Sequence, residues 1–202
     1  MGGSRTWFID GTFKSATCSL FTQVMFILGK TGMGKTVPCA FALLPSKEKL
    51  CYTRLAAAIK QEMDKLEVAN QMKTIMMDYE RGLIESFKTT FEDAQIAGCD
   101  FHWKSCIRKR IAGDGLQLLY NNDIQFSMLI RYIWALSCVP PDMIQAAWTT
   151  VIQEKVRQAA PTWEKDYEKQ LATFLKYIDR TWIGELNTRT QVRKKPLFPV
   201  TM

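Results

Sequence analysis

Short apolar runs bounded by turn-forming residues occupy the first half of the chain and predict five strands. The first run is aromatic and β-branched and leads into Asp10-Gly11, a pair typical of turns. The predicted strands are Thr6–Ile9, Leu20–Leu28, Val37–Leu44, Lys73–Met77 and Ala94–Cys99. Because only short turns separate the first three strands, we expect them to form an antiparallel meander.

Apolar residues at helical spacing predict the remaining elements. A helix is expected over Lys47–Leu66, and two shorter ones over Gly82–Phe91 and Phe101–Ile111. Beyond residue 115 every pattern is helical, and the expected segments are Leu116–Tyr120, Ile124–Leu136, Asp142–Arg157 and Trp163–Tyr177. The order of elements therefore predicts an α/β fold with helices beside the strands, followed by an all-helical block.

Composition narrows the class of protein. The 27 Lys and Arg residues exceed the 20 Asp and Glu residues, which gives a net charge of +7 and favours a polyanionic partner such as nucleic acid. Cys18 and the other five cysteines lie mostly in apolar surroundings, and no signal peptide precedes them, so we expect reduced thiols in an intracellular protein. No stretch of about 18 apolar residues is present, so no membrane span is expected.

The segment Gly29–Thr36 has the required residue at every fixed position of the phosphate-binding loop motif of nucleotide hydrolases. That loop must open a helix whose first amides hold the phosphates. Here Pro38 removes one such amide, and Val37–Leu44 has the pattern of a strand. We therefore interpret the glycines as a hairpin turn and expect no bound nucleotide, with a P-loop NTPase as a lesser alternative.

Two aspartates, Asp10 and Asp78, each follow an apolar strand. A charge at the end of a buried strand is costly unless a partner offsets it, and a divalent metal ion would do so. Clustered carboxylates that hold two Mg²⁺ or Mn²⁺ ions are typical of phosphodiester chemistry. The alternative is that both aspartates are turn or cap residues.

The segment after the fifth strand contains a C-x-x-H motif, Cys99 and His102. No second Cys/His pair is spaced to complete a zinc site, so zinc is not expected. The motif is either a buried thiol beside a partly exposed imidazole, or it places His102 near the carboxylates along the phosphate path. The next helix carries a basic run that is either a set of DNA backbone contacts or a solvated face: Lys104, Arg108, Lys109 and Arg110.

Several segments, in order, resemble the Mutator-like element (MULE) transposase domain. The run Trp7–Phe13 is similar to the opening of that domain. The similarity continues through Val37-Pro38, Ala42–Lys47, Asp78–Glu80 and Gly98–Trp103. Three later segments are similar to parts of the family's animal members: Val139–Pro141, Thr181–Gly184 and Pro196–Pro199.

This resemblance implies an RNase H-like fold with a mixed five-stranded sheet, a DDE-type active site and a helical insertion. Asp10 matches the first catalytic aspartate, Asp78 the second, and Cys99 with His102 the C-x-x-H. The implied activity is metal-dependent DNA cleavage and strand transfer with Mg²⁺ or Mn²⁺. The implied partner is DNA, the implied location is the nucleus, and a homo-oligomer is left open.

The resemblance also implies a third acid, a glutamate after the helical insertion. In relatives it lies beyond a segment like Pro196–Pro199, so we expect it to be missing from these residues, and we assign neither Glu154 nor Glu185 to the role. The family's N-terminal zinc-bearing DNA-binding module is not expected here either. Three regions are predicted: a transposase core over 1–112, a helical insertion over 113–185, and a basic tail over 186–202.

The functional prediction is a MULE-type DNA transposase catalytic domain that is incomplete or domesticated. The main alternative is a non-catalytic DNA- or chromatin-binding protein on the same fold. Whether the chain is an enzyme stays open. The expected absence of the third acid favours the non-catalytic alternative.

Overall fold

A computed structural model describes residues 3–13, 20–67, 71–163 and 165–198 of the chain. Cys18 and Pro199, each part of a prediction above, lie outside these ranges. The described residues form two compact units on either side of the Cys99–Asp100 bond. The cysteines that the structure describes are not joined in disulfides: Cys39, Cys51, Cys99, Cys106 and Cys138.

The first unit contains a five-stranded mixed sheet. Its strands are β1 (Thr6–Thr12), β2 (Gln23–Lys30), β3 (Thr36–Leu44), β4 (Thr74–Met77) and β5 (Gln95–Gly98). They lie in the order β3-β2-β1-β4-β5. The first three strands pair antiparallel and form the predicted meander, and β4 and β5 pair parallel to β1 and to each other. The α/β fold class, with its mixed sheet of five strands, is thus confirmed.

One face of this sheet is covered by two helices, α1 (Lys49–Lys65) and α2 (Arg81–Thr90). Alternate strand residues such as Trp7, Ile9 and Met77 point into this layer and are buried there. The two helices pack their apolar faces into this layer, with buried residues that include Tyr52 and Phe87. The hydrophobic core of the first unit therefore lies between this face and the two helices.

The glycine-rich segment joins β2 to β3 as a hairpin. The amide of Thr31 donates to the carbonyl oxygen of Lys35 at 2.7 Å, and Gly34 has φ of +79°, which L side chains rarely adopt. The segment is followed by strand β3, not by a helix, so the hairpin interpretation is confirmed. A phosphate-binding loop presents its amides at the N-terminus of a helix, and the segment is not followed by a helix here.

The second unit consists of helices and short helical turns. Its α-helices are α3 (Asp100–Gly113), α4 (Gln117–Asn122), α5 (Ile124–Ala135), α6 (Ile144–Ala147), α7 (Gln153–Ala159) and α8 (Lys165–Ile178). The centre of the unit is aromatic: the rings of Trp103 and Trp182 lie 4.6 Å apart in an edge-to-face contact. No helix of the described residues is long and apolar enough to cross a membrane.

The prediction of one regular helix over Asp142–Arg157 is wrong in detail. The segment begins with a 3₁₀ turn, and a π-helical stretch, Trp148–Ile152, separates α6 from α7. The hydroxyls of Thr149 and Thr150 donate to backbone carbonyls four residues earlier, at 2.9 and 2.8 Å. Such bonds compete with the regular ladder and bend helices, which gives a physical reason for the irregularity.

The described part of the predicted basic tail is bound to the helical unit. Arg193 is mostly buried and forms an ion pair with Asp179 at 2.6 Å. Its guanidinium also donates to the carbonyl oxygen of Gly184, a residue with φ of +100°. Leu186 and Arg193 form an isolated antiparallel bridge, so this segment turns back on itself.

Candidate active site

Strand register brings the two predicted acids together. In the parallel pair of β1 and β4, Ile9 lies opposite Met77, so Asp10 and Asp78 occupy the next position on each strand. Ile9 and Met77 both point into the core, and side chains alternate along a strand, so both aspartates belong to the opposite face. Neighbouring strands lie about 4.8 Å apart, which places the two carboxylates within reach of one another.

The two acids differ in how the backbone holds them. The sequence predicted that both follow the end of a strand, and this is wrong for Asp10. Strand β1 continues through Thr12, and Asp10 is paired across the sheet with Phe26 of β2. Asp78 does follow the end of β4 directly. Asp10 is therefore fixed by the ladder with β2, one position beyond the last pair of β1 with β4.

Each carboxylate accepts a hydrogen bond from the amide that follows it. Oδ1 of Asp10 accepts from the amide of Gly11 at 2.9 Å, and Oδ1 of Asp78 accepts from the amide of Tyr79 at 2.6 Å. These bonds orient both side chains in the same way relative to their strands. The side chain of Asp10 is exposed, and that of Asp78 is half-buried.

A buried polar network lies beside the acids on the core side of the sheet, and the sequence pattern did not predict it. The hydroxyl of Tyr52, on α1, donates to Oε1 of Gln23 at 3.1 Å, and the Glu80 carboxylate is an alternative acceptor for the same proton. Burial and the nearby Glu80 raise the pKa of the Tyr52 phenol well above its usual range. The phenol is therefore protonated at neutral pH and can donate a hydrogen bond there.

Gly11 fits against this network because it has no side chain. A Cβ atom at Gly11 would lie 1.9 Å from Nε2 of Gln23 and 2.7 Å from Sδ of Met25. Gln23 is 3% exposed, and Tyr52 is fully buried. The residue after Asp10 is thus packed against groups that have little room to move.

A second glycine has the same role beside Asp78. Tyr79 is buried, and its ring lies over Gly98 at the end of β5. A Cβ atom at Gly98 would lie 2.3 Å from Oη of Tyr79. The residue that follows each acid is therefore held by close packing between a large polar side chain and a glycine.

The C-x-x-H motif spans the boundary between the two units. Cys99 follows β5, and its amide donates to the carbonyl oxygen of Met77 at 3.0 Å. His102 lies in the first turn of α3, half-buried, with its ring edge-to-face against Phe101 at 5.5 Å. Within the described residues, no three His, Cys, Asp or Glu side chains are grouped to hold a metal ion. The role of the motif stays a prediction.

The predicted DNA-contacting run on α3 makes several contacts within its own unit. Lys104 pairs with Asp100 at 2.6 Å, and Arg110 pairs with Asp114 at 2.8 Å. The guanidinium of Arg108 lies 5.0 Å from the centre of the Trp134 ring. Arg108 and the fourth residue of the run, Lys109, are exposed, so these two are the better placed for a backbone phosphate.

Both substitutes considered for the third acid lie in surface ion pairs. Glu154, on α7, pairs with Arg157 at 2.6 Å. Glu185 pairs with Arg180 and with Lys194, each at 3.2 Å. A hydrogen bond from Lys194 lowers the pKa of Glu185. These pairs account for both charges without a metal ion, so neither residue is assigned as a catalytic acid.

A comparison with protein families bears on these residues. The sequence model of the MULE transposase domain matches residues 6–105, about half of the chain. The match includes Asp10, Asp78, Cys99 and His102. No curated protein matches the chain.

Proposed function

Because residues 6–105 belong to the MULE transposase domain family, we propose that the chain is a transposase-derived DNA-binding protein whose Asp10 and Asp78 hold a divalent metal ion. The observation that carries this proposal is the register of β1 and β4, in which Ile9 lies opposite Met77. It brings two carboxylates from distant parts of the sequence to one face of the sheet.

The residues present fit Mg²⁺ or Mn²⁺ better than a softer metal. Asp10 and Asp78 offer carboxylate oxygens, the ligands that hard cations prefer. Two carboxylates supply only part of an octahedral set, and such sites are completed by water and by substrate phosphate oxygens. When bound, such ions activate the attacking hydroxyl or water and stabilise the leaving oxygen of a phosphodiester.

The main contribution of the protein's own groups would then be to hold the two carboxylates in a fixed orientation. The amides of Gly11 and Tyr79 orient the two carboxylates, and Gly98 fixes the segment after Asp78 through the Tyr79 ring. The net charge of +7 attracts the DNA backbone. Since no third acid is assigned, we expect metal-dependent DNA binding with weak or no strand transfer. The proposed location is the nucleus.

The test compares the unaltered protein with Asp10→Asn and Asp78→Asn, which keep side-chain size. Free Mn²⁺ is measured by electron paramagnetic resonance during a titration, and nicking of a supercoiled plasmid is followed in parallel. We expect each variant to weaken Mn²⁺ binding by at least about tenfold. Mn²⁺ affinity that is the same in all three proteins would contradict the metal site. Robust Mn²⁺-dependent nicking would show that a third acid is not needed.

One observation favours the alternative, a non-catalytic DNA- or chromatin-binding protein. Glu154 and Glu185 are both occupied by ion pairs. Under this alternative, DNA binding would fall with added salt but would survive Asp10→Asn and Asp78→Asn. The same set of variants therefore separates the two functions.

A further inference from the structure

A row of side chains runs across the sheet from the candidate acids toward its outer edge. Asp10 is the register partner of Phe26 on β2, and Phe26 is the partner of Phe41 on β3. Residues opposite one another in neighbouring strands point to the same face. Asp78, Asp10, Phe26 and Phe41 therefore follow one another on the face that α1 and α2 do not cover.

The aromatic end of this row is open to solvent. Phe41 is 63% exposed, and Leu43, two residues further along β3, is 54% exposed. The ring of Phe26 supports Phe41 edge-to-face, with centroids 5.3 Å apart and planes at 83°. A phenylalanine this exposed, held in place by a second ring beside two carboxylates, is more typical of a binding surface than of a folding core.

The composition of the segment that carries the aromatic pair indicates the kind of partner. Residues 11–47, which include β2 and β3, contain four lysines and no Asp, Glu or Arg. Just beyond the end of β1, the Lys47 ammonium is 3.8 Å from the centre of the Phe13 ring. Exposed aromatic rings in a basic setting are the features with which proteins bind unpaired nucleic acid, by stacking and by backbone attraction.

We propose that Phe26 and Phe41 form a base-stacking platform for an unpaired nucleotide beside the phosphate that Asp10 and Asp78 hold. This inference rests on the proposed function, which supplies the position of the phosphate. Two strand spacings, about 10 Å, separate Asp10 from Phe41. A base can cover this distance only when it leaves its neighbours in the duplex, because a stacked base has both faces occupied. The platform therefore selects unpaired DNA.

The test measures fluorescence anisotropy of two labelled probes, a single-stranded oligothymidylate and a duplex of the same length, both with Mn²⁺ and without divalent metal. The variants are Phe41→Ala, Phe41→Leu and Phe41→Trp. Leu50→Ala is the matched control, because Leu50 is 56% exposed and lies on α1, away from the row. Omitting the metal keeps the result independent of Asp10 and Asp78.

We expect Phe41→Ala and Phe41→Leu to weaken single-strand binding by about five- to tenfold, the low end of the range for base–aromatic stacking. Phe41→Trp keeps single-strand binding at the level of the unaltered protein, and Leu50→Ala has no effect on it. Duplex binding changes less than twofold in every variant. Because Phe41→Leu keeps an apolar side chain at this exposed position, its loss of binding identifies the aromatic face and not a change in folding.

Three results would overturn the platform. Unchanged single-strand binding in Phe41→Leu would exclude stacking while leaving the metal site of the proposed function untouched. An equal loss for both probes would make Phe41 a general contact of the DNA backbone. A change of oligomeric state in Phe41→Ala, measured by light scattering, would make this face a contact between two copies of the chain. Failure of the unaltered protein to bind either probe even when Mn²⁺ is added would instead contradict the proposed function.

Discussion

Replacing Gly11 with alanine tests how tightly the residue after Asp10 is held. The new Cβ would lie 1.9 Å from Nε2 of Gln23, whose side chain is 3% exposed and hydrogen-bonded to Tyr52. Overpacking of this kind costs about 1–3 kcal/mol. Turning Gln23 away from the Tyr52 hydroxyl adds roughly 1 kcal/mol. The lower entropy of unfolded alanine returns about 0.5 kcal/mol, so the expected net loss is about 1.5–3.5 kcal/mol.

The free energy of unfolding from urea titration, followed by circular dichroism, gives the magnitude. Gly32→Ala is the control, because a Cβ at this hairpin glycine would have no atom within 4 Å. We expect it to be neutral within about 0.5 kcal/mol. The double variant Gly11→Ala/Gln23→Ala should lose less stability than the sum of its two single variants, since it removes the colliding amide.

Two outcomes would refute this reasoning. If Gly11→Ala is as stable as Gly32→Ala, then the network around Gln23 is not rigid. If the double variant is additive, then the collision is not with Gln23. A third measurement connects packing to function: Gly11→Ala should weaken Mn²⁺ binding, because the displaced backbone carries Asp10.

Two further predictions concern charges. Hydrogen bonds from Lys49 and from an arginine lower the pKa of Glu85 from 4.5 to about 2, so its contribution to stability is present above pH 4.5 and is lost as the pH falls toward 2. Glu85→Gln should therefore flatten the acid limb of a pH titration of unfolding. Arg193→Ala should cost about 2–4 kcal/mol because it leaves Asp179 without its mostly buried partner. Lys194→Ala, which removes an exposed cation, should cost less than about 1 kcal/mol.

The strands could be read from sequence because each is a short apolar run between turn residues. The error at β1 has a local cause: Asp10-Gly11 has the composition of a turn. In the structure Gly11 and Thr12 continue the strand, because they pair with Met25 and Val24 of β2. Pairing with a neighbouring strand overrides the local preference, and one sequence without its partner strand does not contain that information.

The site was predictable only in part for a related reason. The context of Asp10 and Asp78, each after an apolar run, indicated both acids. Their register did not follow from the pattern, because it depends on where β4 pairs with β1. The contacts between Gln23, Tyr52 and Glu80 come from three separate elements and have no sequence motif. A signal existed at Gly11, since a glycine within a strand often marks close packing.

The parallel pairing of β1 with β4 also determines when the acids meet during folding. Joining them closes a loop of about 70 residues, whereas the β2–β3 hairpin closes within one short turn. Local contacts form first and long-range pairing follows, so we expect Asp10 and Asp78 to come together late. A divalent ion that needs both would then bind only the nearly complete fold, and it would slow unfolding more than it speeds folding.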